Sequence, residues 1–165
     1  MLILEDVRRA MARSKENESR QLDMADAHTP EQRSRNMAAV RNRNTKPELR
    51  VRSMLHSLGF RFRLHRKDLP GTPDIVLTKH RTVILVHGCF WHTHDCRKGS
   101  TIPMTRPHFW AVKRQCTVER DKRNVASLEA AGWNVIVIWE CQTRTDEDLL
   151  RALSSIHLVR ANQEM

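Results

Sequence analysis

The sequence predicts an α/β sandwich with a mixed sheet, and three observations lead there. Helical patterns at 45–58 and 107–131 alternate with short β-branched runs: Ile75-Val76-Leu77, Thr82-Val83-Ile84-Leu85-Val86 and Asn134-Val135-Ile136-Val137-Ile138-Trp139. The middle run is apolar on both faces, as a central strand is. Lys79-His80-Arg81 joins the first two runs tightly enough for a hairpin, while a whole helix precedes the third. A chain of 165 residues suits one domain with a modest arm and can bury one real core.

In order along the chain, residues 1–28 hold five basic and six acidic side chains with no clean apolar periodicity. They read as a mobile extension with at most one short helix, ahead of a folded domain over 29–165 whose first part, 29–44, is a basic arm. Thr29-Pro30-Glu31-Gln32 is a helix start: a Thr cap, Pro in the first turn and Gln three residues on. The helix it opens, to about Arg41, has only Met37 and Val40 as larger apolar residues, too thin a stripe to anchor a core. It is better suited to lying on another polymer. Thr45-Lys46-Pro47-Glu48 repeats the capping-box spacing; Val51, Met54, Leu55 and Leu58 then recur at helical intervals up to Gly59. Phe60-Arg61-Phe62-Arg63-Leu64 alternates like a half-buried strand, and Leu69-Pro70-Gly71-Thr72-Pro73 is a turn. The long helix from Pro107 closes at Gly132, with Cys116 expected in the core. A last helix over 146–155 should turn Leu149, Leu150 and Leu153 inward.

Charge speaks about partners. The formal net charge is +10; residues 1–28 contribute −1 and the remainder +11. Arg33 to Lys67 holds eleven Lys and Arg against a single acid, Glu48. A polyanion is the natural partner, nucleic acid the commonest one. The charged start lacks a signal-peptide core, and no apolar run approaches the roughly 20 residues of a membrane span. A cytoplasmic protein, neither secreted nor membrane-bound, is expected. In that reducing compartment four cysteines read as metal ligands before disulfides.

The densest chemistry is His87-Gly88-Cys89-Phe90-Trp91-His92-Thr93-His94-Asp95-Cys96, directly after a strand. Cys89, His94 and Cys96 offer two thiolates and an imidazole for tetrahedral zinc. Cys141 follows the last strand and can complete the set if that strand lies beside Val83 to Val86. Four ligands make such a site closed and structural, so catalysis needs other groups. Asp74 opens one strand and His87 ends the next, and a carboxylate there can hold Mg²⁺. His92 lies close in sequence and is left over if His94 takes zinc; cation plus imidazole suits phosphodiester hydrolysis. For Glu48 two readings stand side by side, capping-box partner of Thr45 or inward-facing acid aimed at the cation. Phe90, Trp91 and Trp110, the last on a helix with Lys113 and Arg114, are placed to unstack base steps, and Met37 can act likewise. Trp133 and Trp139 read as core packing.

Together these residues resemble the very short patch repair (Vsr) family of mismatch endonucleases from about Arg33 to Cys141. The likeness runs through Ser34-Arg-Asn-Met37, Leu69-Pro-Gly-Thr-Pro-Asp74, His87 to His92, His94, Cys96, Val118-Glu-Arg-Asp121, Gly132-Trp133 and Ile138-Trp-Glu-Cys141. The resemblance implies a restriction-endonuclease-like three-layer sandwich, a central mixed sheet flanked by helices, with one structural zinc on Cys89, His94, Cys96 and Cys141. It implies catalytic Mg²⁺, two ions, held by Asp74 and the Val86 backbone carbonyl. His92 would activate water, His87 would stand near the usual lysine position, and Glu48 would assist. Phe90, Trp91 and Trp110 would enter the duplex from the major groove and Met37 from the minor-groove side, and Lys113 would contact a base. The implied reaction is a nick on the 5′ side of the T in a T:G mismatch left by 5-methylcytosine deamination. A monomer on double-stranded DNA, alongside mismatch-repair proteins, is the implied setting. Cys116 and Thr117 depart from the family pattern on the helix facing the mismatch, leaving the preferred flanking bases open. A double-strand-cutting restriction enzyme and a non-catalytic zinc-stabilised DNA-binding module are the competing readings.

Overall fold

A computed structural model describes residues 29–41 and 43–156. The expected extension over 1–28 and the chain end after 156 lie outside the described residues. Those described fall into two compact units, 29–40 with Ile102–Trp110, and Arg41–Thr101 with 111–156.

The first unit carries α1 (Pro30–Ala38). Its Thr29 hydroxyl accepts from the Gln32 N–H at 3.2 Å, and the Gln32 amide oxygen accepts from the Thr29 N–H at 2.8 Å. The helix stops at Ala38 and not near Arg41, because it has no buried apolar stripe to carry the pattern on and short helices are marginal alone.

The second unit holds the sheet. Helix α2 (Lys46–Ser57) starts at its Thr45–Glu48 capping box and buries Val51 and Leu55. Leu58, expected inside, becomes the cap residue and is 40% exposed; Gly59 turns the chain at φ +80° and Phe60 fills the core position instead. Strand β1 is only Arg63–Leu64, although Phe60 and Phe62 pack inward on the expected alternation. Strand β2 (Ile75–Leu77) and β3 (Thr82–His87) form the hairpin, joined by a 3-10 turn and by Arg81 at φ 44°. Helix α3 (Pro107–Ala130) then returns the chain to β4 (Asn134–Trp139), a 3-10 turn over Glu140–Thr143 and α4 (Asp146–Leu153).

Sheet order is β1-β2-β3-β4, antiparallel except for the parallel β3–β4 pair. It is a mixed sheet with β3 inside it, as the doubly apolar run predicts. Alternation sends Ile75, Leu77, Ile84, Ile136 and Ile138 to one face, against Val51 and Leu55 of α2 and Leu149, Leu153 and Ile156 at the C-terminal helix. The opposite face sends Val76 and Val83 against Leu128 of α3, with Trp133 alongside. Each large side chain buried this way contributes about 1.5–3 kcal/mol. Leu150 is 43% exposed: positions 149, 153 and 156 share one helical face and 150 lies off it. Cys116 is exposed rather than in the core, since α3 buries only Arg114 and Leu128 along 24 residues. No helix among the described residues is long and apolar enough to cross a membrane.

Candidate active site and metal centre

The parallel register sets Val86 beside Ile138 and His87 beside Trp139, so β3 and β4 end together. After β3 the chain folds back on itself: the His92 N–H reaches Gly88 O at 3.2 Å, the His94 N–H reaches Cys89 O at 3.0 Å, and the Cys96 N–H reaches His94 O at 2.9 Å. Cys141 arrives just past β4. The ligand atoms of Cys89, His94, Cys96 and Cys141 lie within 4.8 Å of one another, with Cys141 Sγ 3.5 Å from His94 Nδ1. Burial pushes the Cys89 thiol up to about 12, while the Gly99 N–H and His94 draw Cys96 down to about 6. Three free thiols and an imidazole are a soft donor set of the kind that holds a tetrahedral metal.

Arg114 ties the same loop down. Its Nε donates to Thr93 Oγ1 at 3.3 Å, its Nη1 to Thr101 O at 2.9 Å and its Nη2 to Gly99 O. Arg114, on the same helix as Trp110 and Lys113, is therefore buried and committed to a hydroxyl and two carbonyls of this loop. Gly99 has no alternative, because a Cβ there would stand 1.9 Å from His94 O.

Asp74 sits just ahead of β2, and its Oδ2 accepts the Val86 N–H at 2.8 Å. Burial raises its pKa, Glu48 raises it further, and His65 and Arg52 pull the other way. Glu48 is the capping-box partner of Thr45 that its spacing predicts, and it is also paired with Arg52. One oxygen accepts from Thr45 N (3.3 Å) and Thr45 Oγ1 (2.8 Å), the other from Asn44 N (3.0 Å) and Arg52 Nη2 (2.7 Å). Only 3% of it is exposed. With Glu48 paired to Arg52, Asp74 is the carboxylate here whose charge a hard cation would offset.

The histidines form a separate group one residue along β3. His87 and His92 stack with centroids 3.9 Å apart and planes 9° apart. His92 Nδ1 lies 2.5 Å from Asp121 Oδ2 on α3. With the carboxylate ionised the proton sits on Nδ1, leaving Nε2 its lone pair. Burial, then the neighbouring His92, lowers His87 to about 4, so it is neutral at physiological pH. An open cavity of about 350 Å³ borders His87, His92, Asp121 and Trp139 and is otherwise walled largely by Val118, Val125, Ala126 and Val137. Asp121 is the residue that sequence reasoning left without a role. Its place in Val118-Glu-Arg-Asp121 is the signal, but nothing in the pattern pairs it with a histidine 29 positions earlier.

The proposed DNA-facing residues divide between the units. In the second, Phe90 and Trp91 are half-buried and meet edge-on at 5.2 Å, with Arg114 5.1 Å from the Phe90 ring and Lys113 Nζ 6.0 Å from the Trp91 ring. In the first, Met37 is 47% exposed and Trp110 is half-buried, edge-on to Phe109 at 5.4 Å.

A mixed sheet with a half-buried aspartate, a His–Asp pair and a Cys/His cluster at its end, on a strongly basic chain, fits a nuclease that acts on DNA. Comparison with known proteins narrows this. The family model for the DNA mismatch endonuclease Vsr matches residues 25–98. The type II nicking enzyme V.XorIIP of Xanthomonas oryzae pv. oryzae is 54% identical over 119 residues, 72% of this chain and 87% of its own length. The DNA mismatch endonuclease Vsr of Escherichia coli (strain K12) is 44% identical over 126 residues, 76% and 80% of the two chains. The type II nicking enzyme V.NmeAIP of Neisseria meningitidis is 45% identical over 121, 73% and 86%. The chain belongs to the Vsr family of DNA mismatch endonucleases, and it is a DNA-binding hydrolase of phosphodiester bonds.

Proposed function

We propose that the protein nicks one strand of duplex DNA on the 5′ side of the T in a T:G mismatch, with Asp74, His92, His87 and Glu48 as its catalytic groups. The observation that carries the reading is the His92–Asp121 pair stacked on His87, one residue along β3 from the backbone N–H that holds Asp74. His92 Nε2 takes the proton of the attacking water while Asp121 keeps Nδ1–H in place. The water oxygen bonds to phosphorus and the phosphorus–leaving-oxygen bond breaks. Asp74 and the Val86 carbonyl are the residues that would hold magnesium, and the half-buried Asp74 carboxylate fits it. Magnesium bound there supplies positive charge against the phosphate oxygens.

The reading extends to a structural zinc on Cys89, His94, Cys96 and Cys141, within a restriction-endonuclease-like three-layer fold. Phe90, Trp91 and Trp110 wedge the mismatch from the major groove, Met37 enters from the minor groove, Lys113 contacts a base, and 29–44 is a DNA-binding arm on a monomer. The relatives' names support nicking at a mismatch: the Escherichia coli protein is called a mismatch endonuclease and the others nicking enzymes.

The test is incubation with Mg²⁺ and paired end-labelled duplexes that differ only in T:G versus C:G. The expected result is one cut strand in the T:G duplex and none in the C:G duplex. Equal cutting of both duplexes, or cutting of both strands, contradicts the reading.

A further inference from the structure

Trp139 closes β4 directly beside His87 in the parallel register. Sequence alone assigns it to the core, yet it belongs to neither apolar group of the sheet, whereas Trp133 packs with Val76, Val83 and Leu128. Its neighbours are polar rings. The indole stacks on His94 with centroids 4.2 Å apart and planes 21° apart, and meets His87 edge-on at 5.4 Å and 74°. His87 lies flat on His92, and His92 pairs with Asp121. An unbroken column of rings therefore runs from a member of the Cys/His cluster to the His–Asp pair. The same indole walls the 350 Å³ cavity beside His87, His92 and Asp121, so removing it opens room into which the His87 ring can turn.

We propose that Trp139 is a positioning residue: through His87 it holds the plane of His92, and through His94 it anchors that geometry to the Cys/His cluster. Asp121 restrains one nitrogen of His92, but a single hydrogen bond leaves the ring free to tilt about it. The flat stack on His87 removes that tilt, and His87 holds its own plane because the indole stands edge-on behind it. An indole spans both histidines with its two fused rings; a phenyl ring lacks the reach. A displacement near 1 Å at a reacting atom costs about 100-fold in rate, so the effect belongs to the chemical step and not to DNA affinity.

The inference rests on the proposed role of His92, and one experiment separates the two failures. Wild type, Trp139→Phe, Trp139→Leu and His92→Ala are purified with their metal, and four quantities are measured. These are bound zinc by elemental analysis, affinity for a T:G duplex without Mg²⁺, single-turnover nicking with Mg²⁺, and the ring-nitrogen NMR signals of histidine. The expected Trp139→Leu protein keeps its zinc and its DNA affinity within about twofold, nicks about 30–100-fold more slowly, and loses the defined Nδ1–H signal of His92. Trp139→Phe is intermediate, about 3–10-fold slower. Wild-type nicking by either Trp139 variant overturns the inference, as does a rate loss matched by loss of zinc or of DNA affinity. If Trp139→Leu does not fold, Trp139→Phe decides by the same criteria. Unimpaired nicking by His92→Ala instead overturns the role of His92 itself.

Discussion

At the scale of single residues, the chemistry divides between charge and geometry. His92 is held by Asp121 at 2.5 Å and by the His87 stack, so its two restraints can be removed separately. His92→Ala is expected to slow single-turnover nicking by 10²–10⁴-fold, the usual contribution of a general base. Asp121→Asn replaces a carboxylate, which only accepts, with an amide whose N–H can donate to Nδ1 and leave the proton on Nε2. About 10²-fold or more should be lost with DNA affinity unchanged, because the wrong tautomer cannot accept a proton at Nε2. An Asp121→Asn protein nicking at the wild-type rate would remove Asp121 from the mechanism. Asp74, Glu48, His87 and His92, the groups we propose for catalysis, were legible in the sequence from their type and place. Asp121 was not, since its partner lies across a helix–sheet interface that no local pattern records. Nor does a local pattern show that Trp139, which reads as core at the end of an apolar strand, has His87 and His94 as ring neighbours.

At the scale of elements, two devices carry the site. The first is the start of α2, where the Glu48–Arg52 pair is almost wholly buried and Glu48 also caps Thr45 and Asn44. Glu48→Ala leaves the Arg52 charge buried without its partner, a change expected to destabilise the fold by about 3–5 kcal/mol. Denaturant unfolding measures this, and a loss below 1 kcal/mol would show the pair to be dispensable. The second is the loop between β3 and α3, clamped by Arg114 and closed at Gly99. Cys141→Ser should release zinc and destabilise the fold together, because a structural site adds on the order of 10 kcal/mol of binding free energy to folding. Full metal content by elemental analysis would speak against the assignment. Capping boxes, the hairpin and the ends of the long helix were readable because each is a local rule. The shortness of β1, the exposure of Leu58 and Leu150 and the position of Cys116 were not, because each depends on which helical face finds a partner.

At the scale of the whole molecule, the +10 charge and the basic stretch from Arg33 to Lys67 determine how the protein meets DNA. Affinity is expected to fall steeply with salt, the logarithmic slope giving roughly 0.9 per phosphate contacted. A flat salt profile would mean that the charge faces something other than the DNA backbone. The family was legible from the order of its motifs along the sequence from Arg33 to Cys141. The flanking bases preferred are not legible in the same way, because this chain departs from the family pattern at Cys116 and Thr117 of α3. The most direct measurement compares wild type with Asp74→Ala on a T:G duplex labelled on each strand in turn, scoring nicking with Mg²⁺ and affinity without it. The account predicts that wild type cuts only the strand bearing the mismatched T, and that Asp74→Ala binds as tightly but cuts about 10²–10³-fold slower, the scale of one lost electrostatic stabiliser. Undiminished cutting by Asp74→Ala would contradict it.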